Sequence, residues 1–302
     1  MTDVAQSVPQ QHNWKLTLAY DGTDFSGWQI QPGERTVQGE LQAALRRVTG
    51  EAPLPQGSGR TDAGVHALAQ VASFELAANI PAENLQRALN RTLPAAIRIL
   101  ESRIVPSTFH ARHSAIAKTY EYRVFREPIC PPFLARYVYA CPWPMDILQL
   151  EKSARLFEGE HDFLSFAATD PDLSSRNRAV GPIGDQELAC GQDPEPPAAQ
   201  TPEPIGKQGS IRTVDSSTWE QRKSESGNFL VYRIRGNGFL HHMVRNLVGT
   251  MLDVGRGYRM IDEIPFILAA RSRAVAGPTA PAQGLCLHSV DYLADDQPPS
   301  RV

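Results

Sequence analysis

Three short segments of this chain carry residue types and spacings that can do chemistry. The first, GSGRTDAGVHA (57–67), sets Arg60, Asp62 and His66 among glycines and other small residues. Glycines let a backbone approach a ligand closely. A carboxylate in such a bend can act as a nucleophile at a glycosidic carbon or as a base. A hairpin turn in which Asp62 caps a backbone amide accounts for the same letters. The segment is neither a Walker loop, since no GK[ST] follows, nor a dinucleotide-binding fingerprint. The second, GNGFLHHMVRNLVG (236–249), places His241, His242 and Arg245 at the start and middle of an apolar run with helical periodicity. Arg245 falls one turn after His241, so the two are expected on one face. An arginine amid that run needs a carboxylate or phosphate partner, for which Asp62 is a candidate, or else reaches solvent from the helix edge. No metal is expected at the paired histidines, because neighbours on a helix point ~100° apart and no third ligand is evident. The third segment, KTYEYRVF (118–125), puts Tyr120 and Tyr122 on the same face of a predicted strand. Either ring could stack on an unpaired base, or both could pack in the core. A fourth loop, DGTDFSGWQIQ (21–31), holds Asp21, Asp24 and Trp28, and its spacing fails the calcium-loop pattern.

Charge is informative in its distribution. The 302 residues carry a formal net charge of −3, which does not announce a nucleic-acid binder. From Arg87 to Arg126, however, Arg87, Arg91, Arg98, Arg103, Arg112, Lys118, Arg123 and Arg126 stand against only Glu101 and Glu121. This window is either a face that grips a phosphate backbone or an ordinary solvated surface. The acidic balance comes largely from the stretch between Asp185 and Glu203, which has no lysine or arginine. Cys130, Cys141, Cys190 and Cys286 form no CxxC pair and are read as free thiols. No stretch approaches the ~20 apolar residues that span a membrane, and the polar first dozen residues lack the apolar stretch of a secretory signal. A cytoplasmic location is expected.

The elements that must position these residues follow from periodicity. WKLTLAY (14–20) reads as a strand. Val37, Leu41, Ala44, Leu45 and Val48 recur at helical spacing before Gly50. LPQGS and LAQVASFE (68–75) flank the first chemical loop as strands, Pro81 opens a helix carrying Leu85 and Leu89, and IRILESRIV (97–105) returns as a strand. This is a β-α-β-β-α-β order. The later residues repeat it: a strand at 118–125, a helix at 147–158, a short strand near 163–166, a hairpin around SESG between residues 211 and 236, the helix LHHMVRNLVGTMLDVG and a final strand LCLHSVDYL. Two similar α+β halves with antiparallel sheets of split βαβ order are therefore expected. The boundaries are a polar tail at 1–13, a half at 14–112 carrying the first loop, a half at 113–293, and a tail at 294–302. Within the second half, residues 168–210 form an insertion whose proline-rich part (182–204) holds almost no large apolar side chains, so a surface segment outside the core is expected there.

AYDGTDFSGWQIQP, GSGRTDAGVHALAQVASF, HARHSAIAKTYEYRV and GNGFLHHMVRNLVGTMLDVG, in this order, closely resemble the tRNA pseudouridine synthase A family. The resemblance covers about residues 14–166 and 211–293, and GRTDAGVHA is its most specific part. It departs at 168–210, which the usual family pattern lacks. The resemblance implies a pseudouridine synthase fold and a cofactor-free isomerase that converts uridines 38 to 40 of the tRNA anticodon arm to pseudouridine, as a homodimer. It assigns catalysis to Asp62, with Arg245 pairing with it and Arg60 in substrate handling, and base stacking to Tyr120. His66, Arg112 and Lys118 are expected to help bind the RNA. A non-catalytic RNA-binding protein is the alternative, although no RNP-type aromatic cluster is visible. A glycosidase would require a second carboxylate in as persuasive a loop as that of Asp62.

Overall fold

The computed structural model describes residues 11–168 and 209–293. Both expected tails, apart from the residues at 11–13, and nearly all of the expected insertion lie outside these. Along the chain the strands are β1 (His12–Tyr20), β2 (Gln56–Gly57), β3 (His66–Leu76), β4 (Ile97–Val105), β5 (Ala115–Phe125), β6 (Tyr139–Ala140), β7 (Gly159–Asp162), β8 (Ile211–Ser224), β9 (Gly227–Gly236) and β10 (Leu285–Tyr292). Six α-helices are described: α1 (Val37–Thr49), α2 (Ala82–Thr92), α3 (Pro132–Ala135), α4 (Ile147–Arg155), α5 (Met243–Gly255) and α6 (Glu263–Ala270). The fold is mixed α+β. All ten strands join one sheet in the order β4-β1-β3-β10-β5-β9-β8-β7, with β2 on β3 and β6 on β5. Pairings are antiparallel except β10 with β3 and β6 with β5. No described helix is long and apolar enough to cross a membrane.

Side-chain alternation sets which sheet face is covered. Trp14, Leu16, Leu18 and Tyr20 lie at every second position of β1 and are all buried, as the period of a strand requires. They pack in the same cluster as Leu41 and Leu45 of α1 and Leu85 and Leu89 of α2. Helix α1 starts where Thr36 accepts the Gly39 amide and stops at Gly50, whose left-handed φ of 81° suits a C-terminal cap. On the opposite face Lys15 lies over the rings of Phe109 and Tyr292, at 5.0 and 4.2 Å from their centroids, an arrangement that offsets its burial.

Helix α5 is buried almost all round, as its nearly uninterrupted apolar run demands. A Cβ on its Gly249 would lie 1.7 Å from the Pro278 carbonyl oxygen. Only a glycine allows the 278–280 segment to cross the helix this closely.

Two expectations are corrected. The strand expected near 163–166 is β7 at 159–162, followed by a 3-10 turn at Leu164–Phe166. Asp162 accepts the Leu164 amide, and burying both Phe163 and Phe166 suits the three-residue spacing of a turn rather than the alternation of a strand. The helix expected to include His241 and His242 starts at Met243, and His242 takes the left-handed conformation with φ 59°. Arg245 and His241 therefore do not share a helical face.

Candidate active site

The chemical loops converge because several strand ends meet at one place. In register, Tyr20 of β1 pairs with Ala67 of β3, Leu287 of β10 with both Ala67 and Tyr120, and Ile234 of β9 with Tyr120. The loop before β3 (58–65), the loop after β1 (21–36), the loop after β9 (237–242) and the segment before β10 all emerge there. The parallel β3–β10 pairing spans only two residue pairs, yet it joins the sheet into one and so fixes these loops relative to one another.

The 58–65 loop is held from below by a polar chain. Ser58 donates to Gln70 Oε1 at 2.6 Å, the Gln70 amide donates to the Gly59 carbonyl at 2.9 Å, and the Tyr20 hydroxyl lies 2.8 Å from Thr61 Oγ1. The Trp28 amide donates to the Thr61 carbonyl at 3.0 Å. A Cβ on Gly22 would stand 1.9 Å from the Val65 carbonyl oxygen, so the loop after β1 can press directly against this one. His66 is part of the same support. Its Nδ1 accepts the Gly22 amide at 3.0 Å and its ring packs against Tyr137, with centroids 5.2 Å apart. Burial, opposed by the Asp21 charge, lowers its pKa. The ring is 5% exposed and offers almost no surface to a ligand.

Asp62 stands at the top of that loop. Arg245, in the first turn of α5 and 183 residues away, donates from Nη1 to Asp62 Oδ2 at 2.8 Å and from Nε to the Ala280 carbonyl at 2.8 Å. The side chains are only 14% and 16% exposed for Arg245 and Asp62, so the pair is short, charged and shielded. The close crossing at Gly249 places the 278–280 segment where Ala280 can orient the guanidinium. Asp62 is thus an ion-pair partner and not the cap of a hairpin amide. The two histidine rings, expected to diverge, lie 4.0 Å apart and present their Nε2 atoms to Asp62 at 3.6 Å (His241) and 3.3 Å (His242). They do so because both precede the helix, and the left-handed residue turns the chain. Burial first, then the charges of His241, Arg245 and Arg273, lower the His242 pKa against the pull of Asp62. Asp62, His241 and His242 have ligand atoms within 4.8 Å of one another, a donor set a metal ion could use, but the Arg245 guanidinium already occupies Oδ2 and opposes a cation.

Tyr120 lies beneath this site, 8% exposed, with its ring edge-on to Phe239 at 5.1 Å. Burial, reinforced by Tyr20 and Asp62, raises its pKa and keeps the hydroxyl neutral. Tyr122 is buried on the same strand face and its hydroxyl donates to the Pro281 carbonyl at 2.9 Å. It is a core residue. Lys118, two positions before Tyr120, has its pKa lowered to about 8 by burial and by the charges of Arg112 and Arg212. Arg60 is exposed at the rim of the loop.

The basic window does not form one face. Arg123 is spent on Glu121 at 2.7 Å, and Arg126 donates to the Cys141 and Trp143 carbonyls. Arg87 and Arg91 stand apart on α2, lining a shallow surface hollow with Asn84 and Ala88. Only Arg112 and Lys118 of the window gather beside the site, and there they meet Arg212, which charge counting missed because it lies beyond the insertion. The Ser58–Gln70 bracket was also missed. Its only trace in sequence is a glutamine between the apolar pairs Leu68–Ala69 and Val71–Ala72 of β3.

The fold is α+β, and at the meeting point of its loops it holds one shielded carboxylate–guanidinium pair with cations nearby. The profile of the family described as tRNA pseudouridine synthase matches residues 17–114 and 199–293. Among curated proteins, the tRNA pseudouridine synthase A of Solibacter usitatus is 46% identical over 279 residues, covering 92% of this chain and 98% of its own length. That of Moorella thermoacetica is 41% identical over 280 residues, with 92% and 98% covered, and that of Halalkalibacterium halodurans is 40% identical over 272 residues, with 89% of each covered. The chain belongs to the tRNA pseudouridine synthase family, isomerases that turn uridine of transfer RNA into pseudouridine.

Proposed function

We propose that this chain converts uridines 38, 39 and 40 in the anticodon stem-loop of transfer RNA to pseudouridine, with Asp62 as the catalytic carboxylate. The observation that carries the assignment is the 2.8 Å contact of Asp62 with Arg245, with both side chains largely shielded from solvent. Uridine and pseudouridine contain the same atoms. The bond from ribose C1′ to N1 breaks, the uracil rotates, C1′ bonds to C5, the C5 proton is lost and N1 gains one. No redox partner or group donor is needed, and the reading requires no cofactor. Asp62 either attacks C1′ or removes the C2′ proton to begin elimination.

In this reading Arg245 aligns the carboxylate, Arg60 handles the RNA at the loop rim, and the Tyr120 ring holds the uracil while it is detached. The target base must leave its stack to reach Asp62, and Arg112 and Lys118 take the backbone. His66 serves the substrate indirectly, by fixing the Gly22 backbone under the loop. We read the sheet as two similar halves, 14–112 and 113–293. The neighbour orders β4-β1-β3-β2 and β10-β5-β9-β8 support this, since each places the last strand beside the first, as a split βαβ unit does. The protein is taken to act as a cytoplasmic homodimer.

The test is release of tritium from C5-labelled uridine in an unmodified transfer RNA transcript, with the modified positions mapped. Wild-type protein should release label from positions 38 to 40, and Asp62→Asn should release none while still binding the RNA. Absence of release by the wild type, or turnover by Asp62→Asn, would refute the reading.

A further inference from the structure

We propose that Arg112, Lys118 and Arg212 form a phosphate clamp that holds the RNA backbone phosphate next to the base on Tyr120. The clamp rests on the reading above for its ligand, but its observations are separate from Asp62. The three cations come from three elements: the connection between β4 and β5, strand β5 and the start of strand β8. Their charges act on one another. No carboxylate of the described residues lies within ion-pair distance of any of them, although ion pairs are frequent elsewhere on the sheet, as with Glu121 and Arg233 or Asp291 and Arg235. Like charges gathered without a counterion destabilise a protein, and an anion that arrives from outside would remove that penalty.

Two glycines bring these cations beside the loops that carry the site. A Cβ on Gly59 would stand 3.2 Å from Lys118 Nζ, and a Cβ on Gly238 would stand 3.4 Å from Arg212 Nε. Each loop that flanks Asp62 thus packs bare backbone against one of the cations, and Lys118 and Val214, two residues after Arg212, both pair with Gly236 at the end of β9. Arg212 is oriented by its own chain, donating from Nη1 to the Gly209 and Ile211 carbonyls at 3.1 and 2.6 Å. Asn237 ties β8 to the 236–238 turn, accepting the Thr213 amide and donating to the Thr213 carbonyl at 3.1 Å each. The strand that carries Arg212 is therefore tied to the histidine-bearing loop. Lys118 and Tyr120 are alternate residues on one strand face, about 7 Å apart along the strand. A single nucleotide spans that interval, with its base at Tyr120 and its phosphate at Lys118.

The experiment measures affinity of the full chain for a transfer RNA transcript across a salt series, on the Asp62→Asn background so that the RNA stays unmodified. Arg212→Gln and Lys118→Met should each weaken binding about tenfold and lower the slope of log affinity against log salt by about one, as loss of one phosphate contact does. At constant ionic strength, replacing chloride with inorganic phosphate should weaken RNA binding by the Asp62→Asn parent, but not by either clamp variant. In the wild-type background the loss should be read in kcat/KM at subsaturating RNA. Variants that keep the parental affinity and salt slope, or that remain as sensitive to phosphate as the parent, overturn the clamp. Those results are independent of whether Asp62→Asn turns over, which bears on the catalytic reading alone.

Discussion

Lys118→Met should make the free protein more stable while it makes RNA binding weaker. Burial and the neighbouring Arg112 and Arg212 hold the lysine at about 8 instead of its ordinary 10.5. Each tenfold change in proton affinity is worth ~1.4 kcal/mol, so carrying this charge costs the folded protein up to about 3 kcal/mol. The side chain keeps some contact with water, which screens the repulsion, and ~2 kcal/mol is the expected cost. Methionine is unbranched and of similar length, so it fills the same space without the charge. The sign with pH follows from linkage. Below pH 8 both folded and unfolded chains hold the proton and the whole deficit is present. Between pH 8 and 10.5 the unfolded chain holds more protons, so wild-type stability rises through that window relative to the variant. Urea denaturation of both proteins at pH 7 and near pH 10 is the assay. The variant should be ~2 kcal/mol more stable at pH 7, with the gap closing towards pH 10. A variant less stable than wild type at pH 7, or a gap that ignores pH, would show that the cations are not mutually strained and would refute the reasoning.

Other consequences can be checked in the same preparations. Arg245→Gln leaves the shielded Asp62 without its guanidinium, and should cost ~2 kcal/mol of stability in thermal or urea unfolding and lower kcat/KM at least about 100-fold. Gly22→Ala forces a methyl group to within 1.9 Å of the Val65 carbonyl, so it should destabilise the chain by more than about 2 kcal/mol and reduce tritium release through displacement of the Asp62 loop. EDTA treatment should leave turnover unchanged with RNA refolded in monovalent salt, because Arg245 already supplies the positive charge beside Asp62 and no metal ion is required. Added zinc, which the three donors of Asp62, His241 and His242 could capture only by displacing Arg245, should inhibit.

The local patterns were legible where local physics decides. The alternation of WKLTLAY fixed the buried face of β1, the spacing of Val37, Leu41, Ala44 and Leu45 fixed the inner stripe of α1, and the resemblance paired Asp62 with Arg245 across 183 residues. Misplaced elements have local causes too. Phe163 and Phe166 read as strand because the letters carry no sign of the Asp162 cap, and His241 and His242 read as helix because an apolar run does not reveal a left-handed residue.

The sequence by itself determined most of the element types, the segments able to do chemistry and the family. It could do so because burial period and glycine-rich bends are properties of neighbouring residues. Only the tertiary structure decided which charges are spent and which stand unpaired: Arg123 and Arg126 are consumed by contacts within the sheet region, His66 by the Gly22 backbone, and Lys118 is left facing Arg112 and Arg212. Electrostatic energy depends on distance through space, and residues 59, 112, 118, 212 and 238 become neighbours only once β5, β8 and the two glycine-bearing loops are in register.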